Sequence, residues 1–180
     1  ATPAQPSPRG HSLRLKSLAE QHGSRPKQQT LAQPENGSTL MDELRHRAHP
    51  DCVICSPRNA SGLRLKFVQR TDGSLQAEFD CPSHLQGYPE MLHGGMISSL
   101  LDGAMTNCLF ARGCEAVTAE LTVRFRHPVA TGRRATVRAW LHESMSVLYV
   151  LKSELIQDQQ VKATATGKFL GGACWPLANK

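Results

Sequence analysis

Aromatic side chains are scarce: they make up 5% of 180 residues, with two Trp and two Tyr. Proteins that hold single-stranded nucleic acid stack its bases on aromatics interleaved with basic residues. Trp140, Tyr149 and Trp175 are too sparse for that, and no nucleic-acid partner is expected. No apolar run approaches the roughly 20 residues of a membrane-spanning helix, so no membrane span is expected. A charged-then-apolar leader is also missing, and the expectation is a cytoplasmic protein. There is no Gly-x-Ser-x-Gly elbow, so a Ser-His-Asp hydrolase is unsupported. Gly132-Arg133-Arg134 has neither the spacing nor the Lys of a phosphate loop.

Charge of one sign is in modest excess, 21 Lys+Arg against 15 Asp+Glu, a net +6. Half of that excess lies in residues 1–40, which hold five basic and two acidic residues. The same stretch holds five of the 11 prolines and no aromatic, Val or Ile. Such a composition cannot bury enough surface to offset its ordering entropy, and residues 1–40 are expected to be a disordered or loosely ordered extension. A folded domain is expected over 41–175, opening with the start-like Met41-Asp42-Glu43-Leu44-Arg45.

Within the domain the hydrophobic period changes character. Residues 41–48 read as a short helix ending before Pro50. Leu63, Leu65 and Phe67 alternate, Thr71 to Ser74 supply a turn, and 75–80 alternate again, a hairpin pattern. Residues 81–92 carry Pro82, Gly87 and Pro89 and read as loop. Met96 to Ala111 reads as a long, largely buried helix. Runs rich in β-formers follow at 116–127, 134–143, 147–157 and 161–170. Strands joined by short turns should be antiparallel neighbours. One long helix with few companions must then be wrapped by that sheet, an α+β arrangement of five or six strands.

The stretch from Leu92 to Met105 is the most informative. His93-Gly94-Gly95 directly precedes the helix, where unsatisfied amides and the positive end of the dipole suit a developing oxyanion. About two turns further stands Asp102, followed by Gly103, both poor helix formers. Set among Leu100, Leu101 and Met105, its carboxylate needs a compensating reason. Ser98, Asp102 and Thr106 recur every four residues and form one polar stripe, either a satisfied network or a catalytic wall.

His93-Gly94-Gly95, six residues and then Asp102, followed by Val117 to Pro128 and Gly132, resembles the hotdog-fold acyl-CoA thioesterases of the PaaI-like group. The likeness extends upstream through Cys55-Ser56-Pro57-Arg58-Asn59, Gly62-Leu63 and Gln86-Gly87-Tyr88. It implies a hotdog fold and hydrolysis of an acyl-CoA thioester, with no metal or redox cofactor. It further implies that amides following His93, on Gly94 and Gly95, polarise the carbonyl, and that Asp102 is general base or nucleophile. Thr118 would position the water, and Arg126, His127 and Pro128 would meet the CoA portion. Some relatives carry Asn six residues before the His; here that residue is Gly87, and neighbouring Gln86 is the expected substitute. The resemblance also implies a site between two subunits, with helix and strand from different chains, in a homodimer or dimer of dimers. A non-catalytic acyl-CoA-binding module is the alternative.

Cysteine spacing supports a separate reading. Cys52-x-x-Cys55 and Cys81-x-x-His84 have zinc-ligand spacing, with His49 as a spare donor. Structural zinc, reduced thiols and a disulfide stay open on these residues. Arg124, Arg126, Arg133, Arg134 and Arg138 are candidates for the phosphates of CoA.

Overall fold

The computed structural model describes residues 37–172. The expected extension therefore lies outside the described residues over 1–36, as does the far end of the expected domain beyond 172. Helix α1 spans Gly37–Ala48, beginning four residues before the expected start at Met41. Strands β1 (Val68–Gln69) and β2 (Leu75–Phe79) follow, then a 3-10 turn at Ser83–Leu85 and helix α2 (Gly94–Phe110). The chain closes with β3 (Ala116–Phe125), β4 (Ala135–Met145), β5 (Leu148–Gln157) and β6 (Gln160–Gly171). All six strands form one antiparallel sheet in the order β1-β2-β4-β5-β6-β3. It curls around α2, which packs against β2, β3, β4, β5 and β6. This is the α+β hotdog arrangement.

Two expectations need correcting. The first strand of the hairpin is short: residues 63–67 lie outside the sheet, with Leu63 and Leu65 N–H donating to Val53 O and Ile54 O, and only Val68 and Gln69 pair with β2. Their alternation reports burial rather than pairing, since Leu65 and Phe67 are buried in the core. The short link from β3 to β4 does not join neighbours either. After Phe125 the chain crosses the open end of the sheet, and β3 pairs with β6 at the far edge. A link of this length permits a hairpin but does not require one.

Alternation on the inner face builds the core. Leu75, Ala77 and Phe79 of β2, Ala135, Val137 and Ala139 of β4, and Leu151 and Leu155 of β5 point inward, as do Ala163, Ala165 and Phe169 of β6. Leu100, Leu101, Met105 and Leu109 of α2 meet them and are fully buried. Truncating any one of these leucines to Ala removes about 2–5 kcal/mol. The polar side chains of α2 are largely self-contained. Ser98, Ser99 and Thr106 donate hydroxyls, and Asn107 an amide, to carbonyls four residues back, at 2.8–3.1 Å. The expected polar stripe thus reduces to a single group with chemistry left over, the Asp102 carboxylate.

The next residue is glycine for a packing reason. The turn following α1 lies directly on α2, and a Cβ at Gly103 would stand 2.6 Å from Ile54 Cγ2. The intrinsic cost of glycine inside a helix, about 1 kcal/mol, is offset by that close approach. Gly103→Ala should therefore destabilise the fold by about 1–3 kcal/mol despite its better helix propensity. In an Ile54→Ala background the same change should cost much less, and chemical denaturation of the four proteins in that cycle reads the coupling directly.

Candidate functional site

The entry to α2 is held from three sides. Leu92 N–H donates to Val129 O (2.8 Å), His93 N–H to Leu85 O (2.9 Å), and Ile97 N–H to His93 O (3.1 Å). His93 has extended backbone and caps the helix: its Nδ1 accepts from Gly95 N–H at 2.9 Å. A Cβ at Gly95 would lie 3.0 Å from that ring nitrogen, so the cap depends on the glycine. The Gly95 amide is thereby engaged within the chain. The amides of Gly94 and Met96 have no partner among the described residues. The two glycines expected to share one role are thus distinct: Gly95 completes a cap and Gly94 leaves a donor free.

Gly94 lines a cavity of about 410 Å³, whose wall also includes Gly87, Tyr88 and, from the end of β3, Phe125 to Pro128. Arg126, His127 and Pro128 thus line the same cavity as Gly94. Both Arg126 and His127 donate their amides to Lys162 O, which turns the chain sharply there. Tyr88 and Phe125 are well exposed and form an apolar lip. Gln86 is not part of this wall: its Oε1 accepts from Glu90 N–H at 3.2 Å, inside its own loop. Of the five candidate arginines, three are ion-paired, Arg133 with Asp158, Arg134 with Asp80, and Arg138 with Asp72 and Glu154. Arg124 and Arg126 have no such pair among the described residues.

Asp102 lies elsewhere along the helix. Thr118 Oγ1 donates to its Oδ1 at 2.7 Å, and both residues belong to the same chain. The helix carboxylate and the strand hydroxyl are thus not divided between subunits. A β-bulge arranges the contact. Thr118 pairs with Phe169 and Glu120 with Lys168, leaving Ala119 as an extra residue. Without it, Thr118 would share a face with Glu120, Thr122 and Arg124. With it, Thr118 shares the inner face with Leu121 and Val123, which pack on the core. Burial pushes the Asp102 carboxyl above its ordinary value, opposed by the Thr118 hydrogen bond and by nearby His49, while Cys52 adds to the rise.

Eight residues separate Gly94 from Asp102, and a helix rises about 1.5 Å per residue, so the two stand about 12 Å apart along α2. A thioester carbonyl bonded to the Gly94 amide lies beyond reach of the Asp102 of the same chain.

The zinc-type spacing resolves differently from its expected form. Cys52 and Cys55 come together with His49, the spare donor, and not with Cys81 and His84. Cys81 is buried, with its thiol 3.8 Å from Phe79 O and beside Gln157.

Comparison with known proteins agrees with this geometry. Residues 90–164, which hold the α2 entry, Asp102 and β3, match the family model of the Thioesterase superfamily. This likeness to the Thioesterase superfamily spans 75 of the chain's 180 residues. An acyl-coenzyme A thioesterase THEM4 from Mus musculus is 24% identical over 106 residues, 58% of this chain and 46% of its own. The Bos taurus THEM4 is 27% identical over 89 residues, 48% of this chain and 36% of its own. The matches thus span less than half the length of these curated relatives. Among solved structures, the Escherichia coli PaaI protein superposes with a TM-score of 0.63 at 20% identity, covering 76% of this chain and 96% of that one. A Streptococcus mutans protein bound to acetyl CoA superposes at 0.56 with 17% identity, covering 60% and 88%. At these identities the structural likeness shows the fold alone, a hotdog fold.

The raised Asp102 value carries a stability consequence. With the folded value above the unfolded one, the stabilisation is complete below the ordinary carboxylate range and is lost as pH rises through the raised value. Asp102→Asn should therefore melt at a higher temperature than wild type at about pH 8, with the gap closing toward pH 3. Thermal scans across that range check this, and equal melting temperatures at both ends would contradict it.

Proposed function

We propose that this domain is an acyl-CoA thioesterase whose base and carbonyl-polarising amide come from two copies of the chain. The observation that carries the reading is the 2.7 Å bond from Thr118 Oγ1 to Asp102 Oδ1. It directs a half-buried carboxylate and leaves the Thr118 lone pairs to orient a water beside it. In the reaction that water attacks the thioester carbonyl carbon while its proton passes to Asp102. The oxygen of the tetrahedral intermediate takes the free amide of Gly94 on the other copy, reinforced by the positive end of α2. Collapse breaks the carbon–sulfur bond, and the proton on Asp102 returns to the departing thiolate. Burial raises the basicity of Asp102 and so suits it to the general-base role.

The separation along α2 requires the second copy, and the sheet offers a place for it. β3 is ten residues long, lies at the sheet edge, and pairs on one side only among the described residues. Long open edges are normally covered, and a second β3 would cover this one. CoA would lie along the wall at Arg126, His127 and Pro128, where the unpaired Arg126 suits its phosphates. The THEM4 relatives are acyl-coenzyme A thioesterases by name and one structural neighbour holds acetyl CoA, both consistent with this substrate class.

Free-thiol release over a panel of acyl-CoAs tests the reading. Asp102→Asn should lower turnover about 10²–10⁴-fold while the protein still binds substrate. Proline is accepted at the first helical position, so Gly94→Pro deletes the donor and keeps the helix; it should lose about 10²–10³-fold. Thr118→Ala removes a bond that favours the charged carboxylate, so the acid limb of the kcat/KM profile should move to higher pH. Equal, slow hydrolysis by wild type and Asp102→Asn would instead assign the domain to acyl-CoA binding without hydrolysis.

A further inference from the structure

The group formed by His49, Cys52 and Cys55 supplies no reacting atom to the chemistry above. Its three donor atoms, one ring nitrogen and two sulfurs, all lie within 4.8 Å of one another. Cys55 Sγ is 3.9 Å from His49 Nδ1. Around a tetrahedral Zn2+, with Zn–S about 2.3 Å and Zn–N about 2.0 Å, neighbouring donors stand about 3.5–3.8 Å apart. Closing this triangle onto an ion thus needs a contraction of about 1.3 Å at most. The segment is also shaped for it. His49 directly follows α1, and Cys52 N–H donates to His49 O (3.3 Å), while Ser56 N–H donates to Cys52 O (3.1 Å).

The sulfur of Cys52 is met by backbone donors. Ile54 N–H points at Cys52 Sγ at 3.4 Å, the kind of amide-to-sulfur bond that steadies a thiolate ligand. Two sulfurs this close to each other and to an imidazole suit a divalent cation, which would neutralise both. The outer side is furnished as well: the His49 ring stands edge-on to Phe110 with centroids 4.9 Å apart, and nearby Arg45 Nε donates to Asn107 Oδ1 at 3.0 Å.

We propose that His49 Nδ1, Cys52 Sγ and Cys55 Sγ form a binding site for a thiophilic divalent cation such as Zn2+, with the fourth position taken by water. Among the described residues no fourth Cys, His, Asp or Glu joins the group. Binding replaces the thiol proton of Cys55, and any on Cys52, by sulfur–metal bonds, and those protons pass to solvent. With Nδ1 as ligand the ring proton of His49 sits on Nε2. Because Ile54 of this turn packs against Gly103, an ion here braces the wall of α2 next to Asp102. The site stands independently of the thioesterase reading.

The reduced 180-residue chain, stripped of metal, is titrated with Co2+ and then with Zn2+. One Co2+ per chain should bind, with a sulfur-to-cobalt charge-transfer band and strong visible bands of tetrahedral type, and Zn2+ should abolish them. Zn2+ should also protect Cys52 and Cys55 from alkylation in the wild-type protein, leaving Cys81 protection unchanged, as mapped by mass spectrometry. Cys52→Ser, Cys55→Ser and His49→Gln should each weaken Zn2+ binding by at least the roughly 10–100-fold that outer-shell partners command, whereas Cys81→Ser should not. A spectrum without the thiolate band, alkylation of Cys52 and Cys55 unaffected by Zn2+, or a Cys52–Cys55 disulfide with no metal uptake after reduction would overturn the site. The alkylation mapping needs no variant, so misfolding of a substituted chain cannot mask the answer.

Discussion

The rise of helix α2 governs how this molecule can act. Its first turn presents a free amide at Gly94, and its third carries the Asp102 carboxylate about 12 Å further on. No rearrangement of side chains closes a gap set by the backbone of a buried helix. Either the two groups serve different ends, or two copies of the chain bring one of each to a shared cleft. The rest of the architecture is consistent with the second course. An apolar lip formed by Tyr88 and Phe125 stands at the amide end, and the open β3 edge is the longest unpaired strand edge in the described domain.

Smaller devices fix the parts at each end of that rod. Gly95 admits the His93 cap, and His93 in turn consumes the Gly95 amide, so of the two glycines only Gly94 keeps an unpartnered amide among the described residues. Gly103 lets the Ile54 turn lie against the helix beside Asp102. The bulge at Ala119 turns Thr118 inward while Leu121 and Val123 still pack on the core. Each device gives up regular structure locally, through a glycine in a helix or an extra residue in a strand. Each is recovered in packing or in a hydrogen bond at the candidate site.

Much of this was legible in the residues. The α2 run, the β-rich runs after it, and the pairing of a glycine-marked helix entry with a lone acidic group all follow from period and chemistry. The hotdog fold followed once the strand after the helix was seen in register with the thioesterase pattern. What escaped were facts of long range. That β3 leaves β4 to pair with β6 is decided by contacts distant in sequence. The phase change at Ala119 cannot be read from alternation, because Thr118 and Thr122 look alike there. The fate of Gln86 depended on a hydrogen bond to Glu90 inside one loop. The cysteine pattern suggested Cys81 and His84, but the turn after α1 selects His49, a residue only three positions before Cys52.

The central claim is that one site needs two chains, and mixing two inactive proteins tests it most directly. In an Asp102→Asn and Gly94→Pro heterodimer, one cleft carries both lesions and the other carries neither. After equimolar mixing and subunit exchange, half of the dimers are mixed and each holds one intact cleft, so about a quarter of wild-type thioester hydrolysis should return. If the mixture stays as inactive as its parents after exchange is demonstrated, base and donor do not meet across a pair of chains, and the account fails.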